Sequence, residues 1–187
     1  MTRQASLRCT LLLVAAALSA CATVPDDSSV VEKLDADTGH TVARLGRPIE
    51  VYRETFLKEP SGRFAFVAPF ETNQMGTRKL FVWVAVPIEL GEADAAPVVT
   101  VNGQELGLGT PGRKPDFAEL TKSPYKIPTP WSTMFYYNAD QDLIAKLGEA
   151  STISVKVTEP TRDGPVKTVF AVTLQPADAR LRDFAAR

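Results

Sequence analysis

The amino-acid sequence predicts a mainly β protein: an antiparallel β-sandwich with two short helices near the C-terminus, for which immunoglobulin-like topology is the first expectation. Three observations lead there. About nine short segments alternate apolar and polar residues at period two. Asn102-Gly103 and Asp163-Gly164 are dipeptides that reverse antiparallel strands. Residues 79–88 are apolar on both faces, as a central strand covered from two sides must be. A half-open barrel covered by the terminal helix is the alternative. There is no internal repeat.

Residues 30–34 and 41–45 read as strands around the turn residues Asp35-Ala36-Asp37-Thr38-Gly39. After Pro48, residues 49–54 resume the alternation with Ile49, Val51 and Arg53 on one side. Phe64, Phe66, Ala68 and Phe70 share a face of the next strand. Residues 79–88 follow, with Leu80, Val82, Val84 and Val86 on one face and Phe81, Trp83 and Ala85 on the other. The second face demands a cover, and the final helix with Leu181 and Phe184 is the expected one. Residues 98–101 and 104–106 flank the Asn-Gly turn, which supplies the two positive φ angles of a type I′ hairpin.

Residues 107–131 hold Pro111, Pro115, Pro124, Pro128 and Pro130, which forbid a long regular element. Residues 134–137 read as a strand. Asn138 is expected to cap a helix whose buried stripe is Leu143, Ile144 and Leu147 and which Gly148 closes. Residues 152–157 and 166–174 then form an antiparallel pair, and Pro176 is expected to open the last helix. Residues 30–187 thus make one domain.

The N-terminus follows a different logic. Arg3 and Arg8 precede an unbroken apolar run over residues 11–18, then Ser19, Ala20 and Cys21. This is the order of a secretory signal peptide, and the run is far shorter than the roughly 20 residues of a membrane span. Leu18-Ser19-Ala20-Cys21 resembles the lipobox of bacterial lipoproteins. The resemblance implies cleavage after residue 20, a diacylglycerol thioether on Cys21, and N-acylation by a fatty acid such as palmitate. Several acyl chains, at about 0.8 kcal/mol per buried methylene, make a lasting anchor. Ala22 stands where enteric lipoproteins retained in the inner membrane carry Asp, so the resemblance implies the outer membrane. Residues 21–29 then read as the lipidated cysteine and a polar tether.

Cys9, the other cysteine, leaves with the signal, so the mature chain can form no internal disulfide. Arg3 and Arg8 leave too, and 19 basic residues then face 22 acidic ones, a formal charge of −3. That balance gives nucleic acid no basic face.

Chemistry is weakly signalled. Asp37-Thr38-Gly39 matches the aspartic-protease tripeptide, yet a hairpin turn selects the same residues. Asp35 and Asp37 start like a calcium loop, but Gly39 falls where a ligand should be. His40 is the single histidine and is expected on the surface beside the turn. A triad would need it, as would most zinc sites. The expectation is therefore no catalytic residues, no metal and no cofactor. Trp131, Phe135, Tyr136 and Tyr137 are expected in the core more than on a ligand platform, although Trp131 stays a candidate for contact. The long proline-rich segment offers Arg113, Lys114, Lys122 and Lys126 to a partner.

Residues 31–45, and Asn73-Gln74-Met75-Gly76 ahead of Phe81-Val82-Trp83, resemble uncharacterised proteobacterial envelope lipoproteins. That resemblance implies location and carries no activity with it. The function expected is a non-enzymatic, periplasm-facing envelope lipoprotein that binds another envelope protein or serves in assembly or maintenance. A carrier of lipid or another hydrophobic ligand, and a hydrolase, are the alternatives. Cys21→Ser is expected to block acylation and leave the unprocessed precursor. Metabolic labelling with palmitate measures this, and wild-type incorporation into the mutant would overturn the anchor.

Overall fold

The computed structural model describes residues 30–53, 64–126, 130–174 and 177–187. Cys21 and its tether, Glu54, Ile127, Pro128 and Pro176 lie outside the described residues. Among the described residues ten strands and two α-helices follow in chain order. Strands β1 (Val30–Asp35), β2 (His40–Leu45), β3 (Ile49–Arg53), β4 (Phe64–Gln74) and β5 (Thr77–Val86) occupy the first half. Then come β6 (Val98–Val101), β7 (Gln104–Glu105), a 3-10 helix (Pro115–Ala118), β8 (Thr133–Ala139) and α1 (Gln141–Gly148). Strands β9 (Thr152–Thr161) and β10 (Gly164–Thr173) and helix α2 (Ala179–Ala185) complete the chain.

The strands form one antiparallel hydrogen-bonded sheet in the order β1-β2-β4-β3-β10-β9-β6-β7, with β5 and then β8 added beyond β4. Strand β4 is the hub. Its residues Phe70 to Asn73 pair with β2, Phe64 to Val67 pair with β3, and β5 takes the opposite edge along nearly the whole length. The chain leaves β2 at Gly46-Arg47-Pro48 and re-enters the sheet as β3, so one limb runs β1-β2-β4-β5-β8 and the other β3-β10-β9-β6-β7. This is the mainly antiparallel, sandwich-like architecture that the alternation predicts.

Register decides which side chains meet. Val67, Val84 and Phe135 align across three strands of the first limb, and Phe170, Val155 and Val99 across three of the second. All six belong to one buried cluster. Tyr137 joins the limbs by donating its hydroxyl to the carbonyl of Pro97 at 3.0 Å.

Helix α1 is capped by Asp140, whose carboxylate accepts from the Leu143 N–H at 2.8 Å. Asn138, expected to cap it, instead pairs with Phe81 inside β8. The strand wins because its partner β5 continues past that point. Helix α2 is capped by Asp178, which accepts from the Arg180 N–H at 2.9 Å. Gly148 closes α1 for a reason other than a left-handed cap. A Cβ there would lie 2.7 Å from that of Ala185, so its absence lets α2 pack against α1.

The outer face of β4 and β5 is covered by the proline-rich segment and not, as expected, by α2. Tyr125 lays its ring 5.0 Å from that of Trp83, with the planes at 39°. Helix α2 packs chiefly on α1, and its main strand neighbours are β1 and β2. The segment is tied down at both ends. Gly112 exchanges two main-chain hydrogen bonds of 2.9 Å with Tyr136, where a Cβ would lie 2.2 Å from the Phe117 ring. Tyr125 donates its hydroxyl to the Pro69 carbonyl at 2.8 Å and accepts from the Leu45 N–H at 3.1 Å. A proline-rich chain suits this work, because it has few N–H groups to leave unpaired over an apolar face.

Burial drives the Tyr125 pKa far above its ordinary value, against the smaller pull of the Leu45 N–H and the Arg44 charge. A raised value means stability held below the ordinary tyrosine range and lost as pH rises above it. Tyr125→Phe keeps the ring contact and strands two buried main-chain groups. It is expected to cost about 1–3 kcal/mol in urea unfolding, and to lessen the loss of stability above pH 10, the ordinary tyrosine value.

Candidate functional site

The sequence builds a groove where the covering segment crosses the first limb. Strand β2 alternates, so Val42 and Arg44 point outward beside Glu50 of β3 and Phe66 of β4, while Leu45 points into the core. Residues 120–126 run over this face and leave an open groove of about 980 Å³. Val42 and Phe66 give it an apolar floor, and the consecutive residues 33–37 of β1 and the following turn form one wall. Five cations line it against three carboxylates, on a chain whose overall formal charge is −1.

Its carboxylates are largely occupied. Asp35 accepts from the Thr121 N–H at 3.3 Å and the Asp37 N–H at 3.2 Å. Partial desolvation would raise its pKa, but these bonds and the hydroxyls of Thr121 and Thr38 prevail and hold it below the ordinary value. Asp37 lies 3.8 Å from the Lys122 ammonium. The Asp37-Thr38-Gly39 tripeptide forms the β1–β2 turn, with Gly39 at φ 74°. Arg44 spends its guanidinium on the carbonyls of Leu45 and Gly46, at 2.8 and 3.0 Å, and lies 5.3 Å over the Tyr125 ring.

At one end stands a cluster that the sequence reading misplaced. His40 is buried, 5% exposed, and not a surface residue. The 3-10 helix ends at Glu119, whose left-handed backbone, φ 59°, brings its carboxylate back over β2 and β5. There it bridges His40 Nε2 at 3.3 Å and Lys79 Nζ at 2.5 Å. No local pattern announces this. His40 follows a turn, which argues for exposure, and its cover comes from a segment about 80 positions away in sequence. His40 Nδ1 is buried and makes no hydrogen bond among the described residues. The cluster acts as a clasp that holds the covering segment to the sheet.

The sequence-predicted contact residues fall into three places. Lys122 and Lys126 border the groove. Arg113 and Lys114 border a separate, shallower cleft with Glu92 and Asp116. Arg113 turns inward there, donating to the carbonyls of Asp94 at 2.8 Å and Leu90 at 3.3 Å, and it lies 4.6 Å over the Phe135 ring. Trp131 is half exposed and borders neither. Phe135, Tyr136 and Tyr137 are core, as expected. Among the described residues no three His, Cys, Asp or Glu side chains gather as a metal site would require. No helix there is long and apolar enough to cross a membrane.

Comparison with protein families, curated proteins and solved structures finds no match.

The hydrogen bond from Lys79 holds the Glu119 pKa below its ordinary 4.5, against a smaller desolvation effect and with help from the Lys79 and His40 charges. A depressed value means a contribution present above pH 4.5 and lost as pH falls through the folded value. Urea unfolding between pH 6 and 3 is expected to show that loss in the wild type, and a shallower one in Glu119→Gln. His40→Ala is expected to cost about 1–3 kcal/mol at pH 7, against the few tenths of a surface site.

Proposed function

We propose that the protein is a lipid-anchored envelope lipoprotein, held through Cys21 to the periplasmic side of the outer membrane, whose β domain binds another envelope protein without catalysing a reaction. The observation that carries the binding role is the open groove beside β1, lined by Lys122 and Lys126 together with Val42 and Phe66 of the sheet. An apolar floor with a charged rim is the anatomy of a protein-binding surface. The tether supports the same reading. Nine residues, 21–29, precede β1 and reach at most about 30 Å when extended, which keeps the groove among membrane-bound neighbours.

A photo-cross-linking residue in place of Lys122, introduced into the full-length protein in its own envelope, tests this. A discrete adduct to one envelope protein is expected there, and none from the same residue in place of Asp163 at the β9–β10 turn. Equal yields at both positions, or no protein adduct at Lys122, would overturn the proposal.

A further inference from the structure

Strand β1 ends the sheet. It pairs with β2 through all six of its residues, and no described strand pairs with its other edge. That edge presents main-chain N–H and C=O groups able to accept a further strand. The groove lies along it, since consecutive residues of β1 and its turn form the wall.

The side chains on the two faces of β1 differ in a way that selects an occupant. On the groove face, Lys33 is exposed, and neither it nor Lys126 meets a carboxylate among the described residues. Arg44 adds a charge that, among the described residues, is bonded to main-chain carbonyls and set over the Tyr125 ring face. Asp35 and Asp37 are engaged by Thr121 and Lys122, which leaves Glu50 on the β3 wall as the remaining acid. On the opposite face, Glu32 is paired with Arg187, and Leu34 stands 61% exposed. A strand added to this edge would direct alternate side chains to each face. Carboxylates on one side would meet the cations, and apolar groups on the other would cover Leu34.

Resting on the protein-binding reading above, we infer that the edge of β1 receives an extended partner segment of alternating acidic and apolar residues, which adds a strand and sets its carboxylates in the groove. Charge draws the segment in, and main-chain hydrogen bonds hold it. A sheet edge contributes nothing to a lipid headgroup, so the same cations beside a free edge favour a peptide over a membrane surface.

The test uses the full-length lipoprotein in phosphatidylcholine nanodiscs and a fluorescent ten-residue peptide alternating Glu and Val. Anisotropy is expected to show it binding at least tenfold more tightly than the Lys-Val counterpart. The double variant K33E/K126E, at an unchanged melting temperature, is expected to weaken binding roughly tenfold. N-methylation of alternate amides, which leaves every charge in place, is expected to do the same through the edge. Equal affinity for the two peptides, no binding of either, or full binding of the N-methylated peptide would overturn the inference. Sedimentation with phosphatidylglycerol vesicles that K33E/K126E abolishes, with no peptide binding, would overturn it in favour of a lipid headgroup. A protein adduct at Lys122 that persists in any of these cases leaves the binding module standing and removes only this occupant, whereas absence of the adduct removes the module itself.

Discussion

Strand β4 and its neighbour β5 are buried on both faces, and the rest of the structure answers that constraint. Val67 and Val84 look inward, while Phe70, Phe81 and Trp83 look outward and are no less buried. Burying one such side chain fully contributes about 1.5–3 kcal/mol, so neither face can be left to water. Folding the sheet back on itself closes one side. It gives the other side nothing, because both limbs turn their inner faces to the same core. A separate piece of chain has to supply that cover, and residues 112–126 are that piece.

The outer cover must satisfy its own main chain while lying on an apolar surface, and its few anchors show how. Gly112 borrows a place at the edge of β8, Tyr125 reaches through to main-chain groups of β2 and β4, and Glu119 folds back onto His40 and Lys79. Together the anchors join the segment to β2, β4, β5 and β8, so the cover also braces the first limb. The groove follows from this arrangement. Thr121 is tied to Asp35 at the end of β1 and Tyr125 to Leu45 and Pro69, and the segment between them leaves an open groove beside β1 with Val42 at its floor.

The local part of this design was legible in the sequence, and the long-range part was not. Alternation places β1, β2 and β3 within a residue or so, and Asn102-Gly103 takes the two positive φ angles, 51° and 80°, that its turn demands. The β4–β5 hairpin turns equally tightly at Met75-Gly76, φ 51° and 90°, but methionine is no turn signal, and the apolar alternation that marks β4 stops at Phe70 while the strand runs on to Gln74. The apolar double face of β5 announced that a cover exists. It could not say which one, since Leu181 and Phe184 on a helix look like better cover than a stretch full of prolines. For the site, Lys122 and Lys126 were visible as loop charges, whereas Lys33, Arg44 and Phe66 looked like ordinary strand residues. Periodicity gives each strand its faces, but a groove depends on what crosses them, and that is set by contacts far apart in sequence.

The same separation of local from long-range explains why Lys33 and Leu34 belong together functionally. An edge strand is a hazard, and charged residues such as Glu32 and Lys33 are the usual means of blunting it. Blunting alone would favour a polar residue at position 34 as well, since a bare leucine on an exposed edge invites indiscriminate pairing. Leu34 is 61% exposed beside those charges, with Glu32 already bound to Arg187 and Lys33 left open to the groove. An edge made only to repel would not keep its apolar group in water and its cation unmatched. An edge made to admit one kind of strand would, because a wrong sequence then meets like charge on one face or buries a polar group on the other. The lipid anchor proposed at Cys21 fits that selectivity. Such an anchor would confine the domain to a surface where neighbours are concentrated, so that a modest edge could be occupied without the broad stickiness that a stronger one would bring.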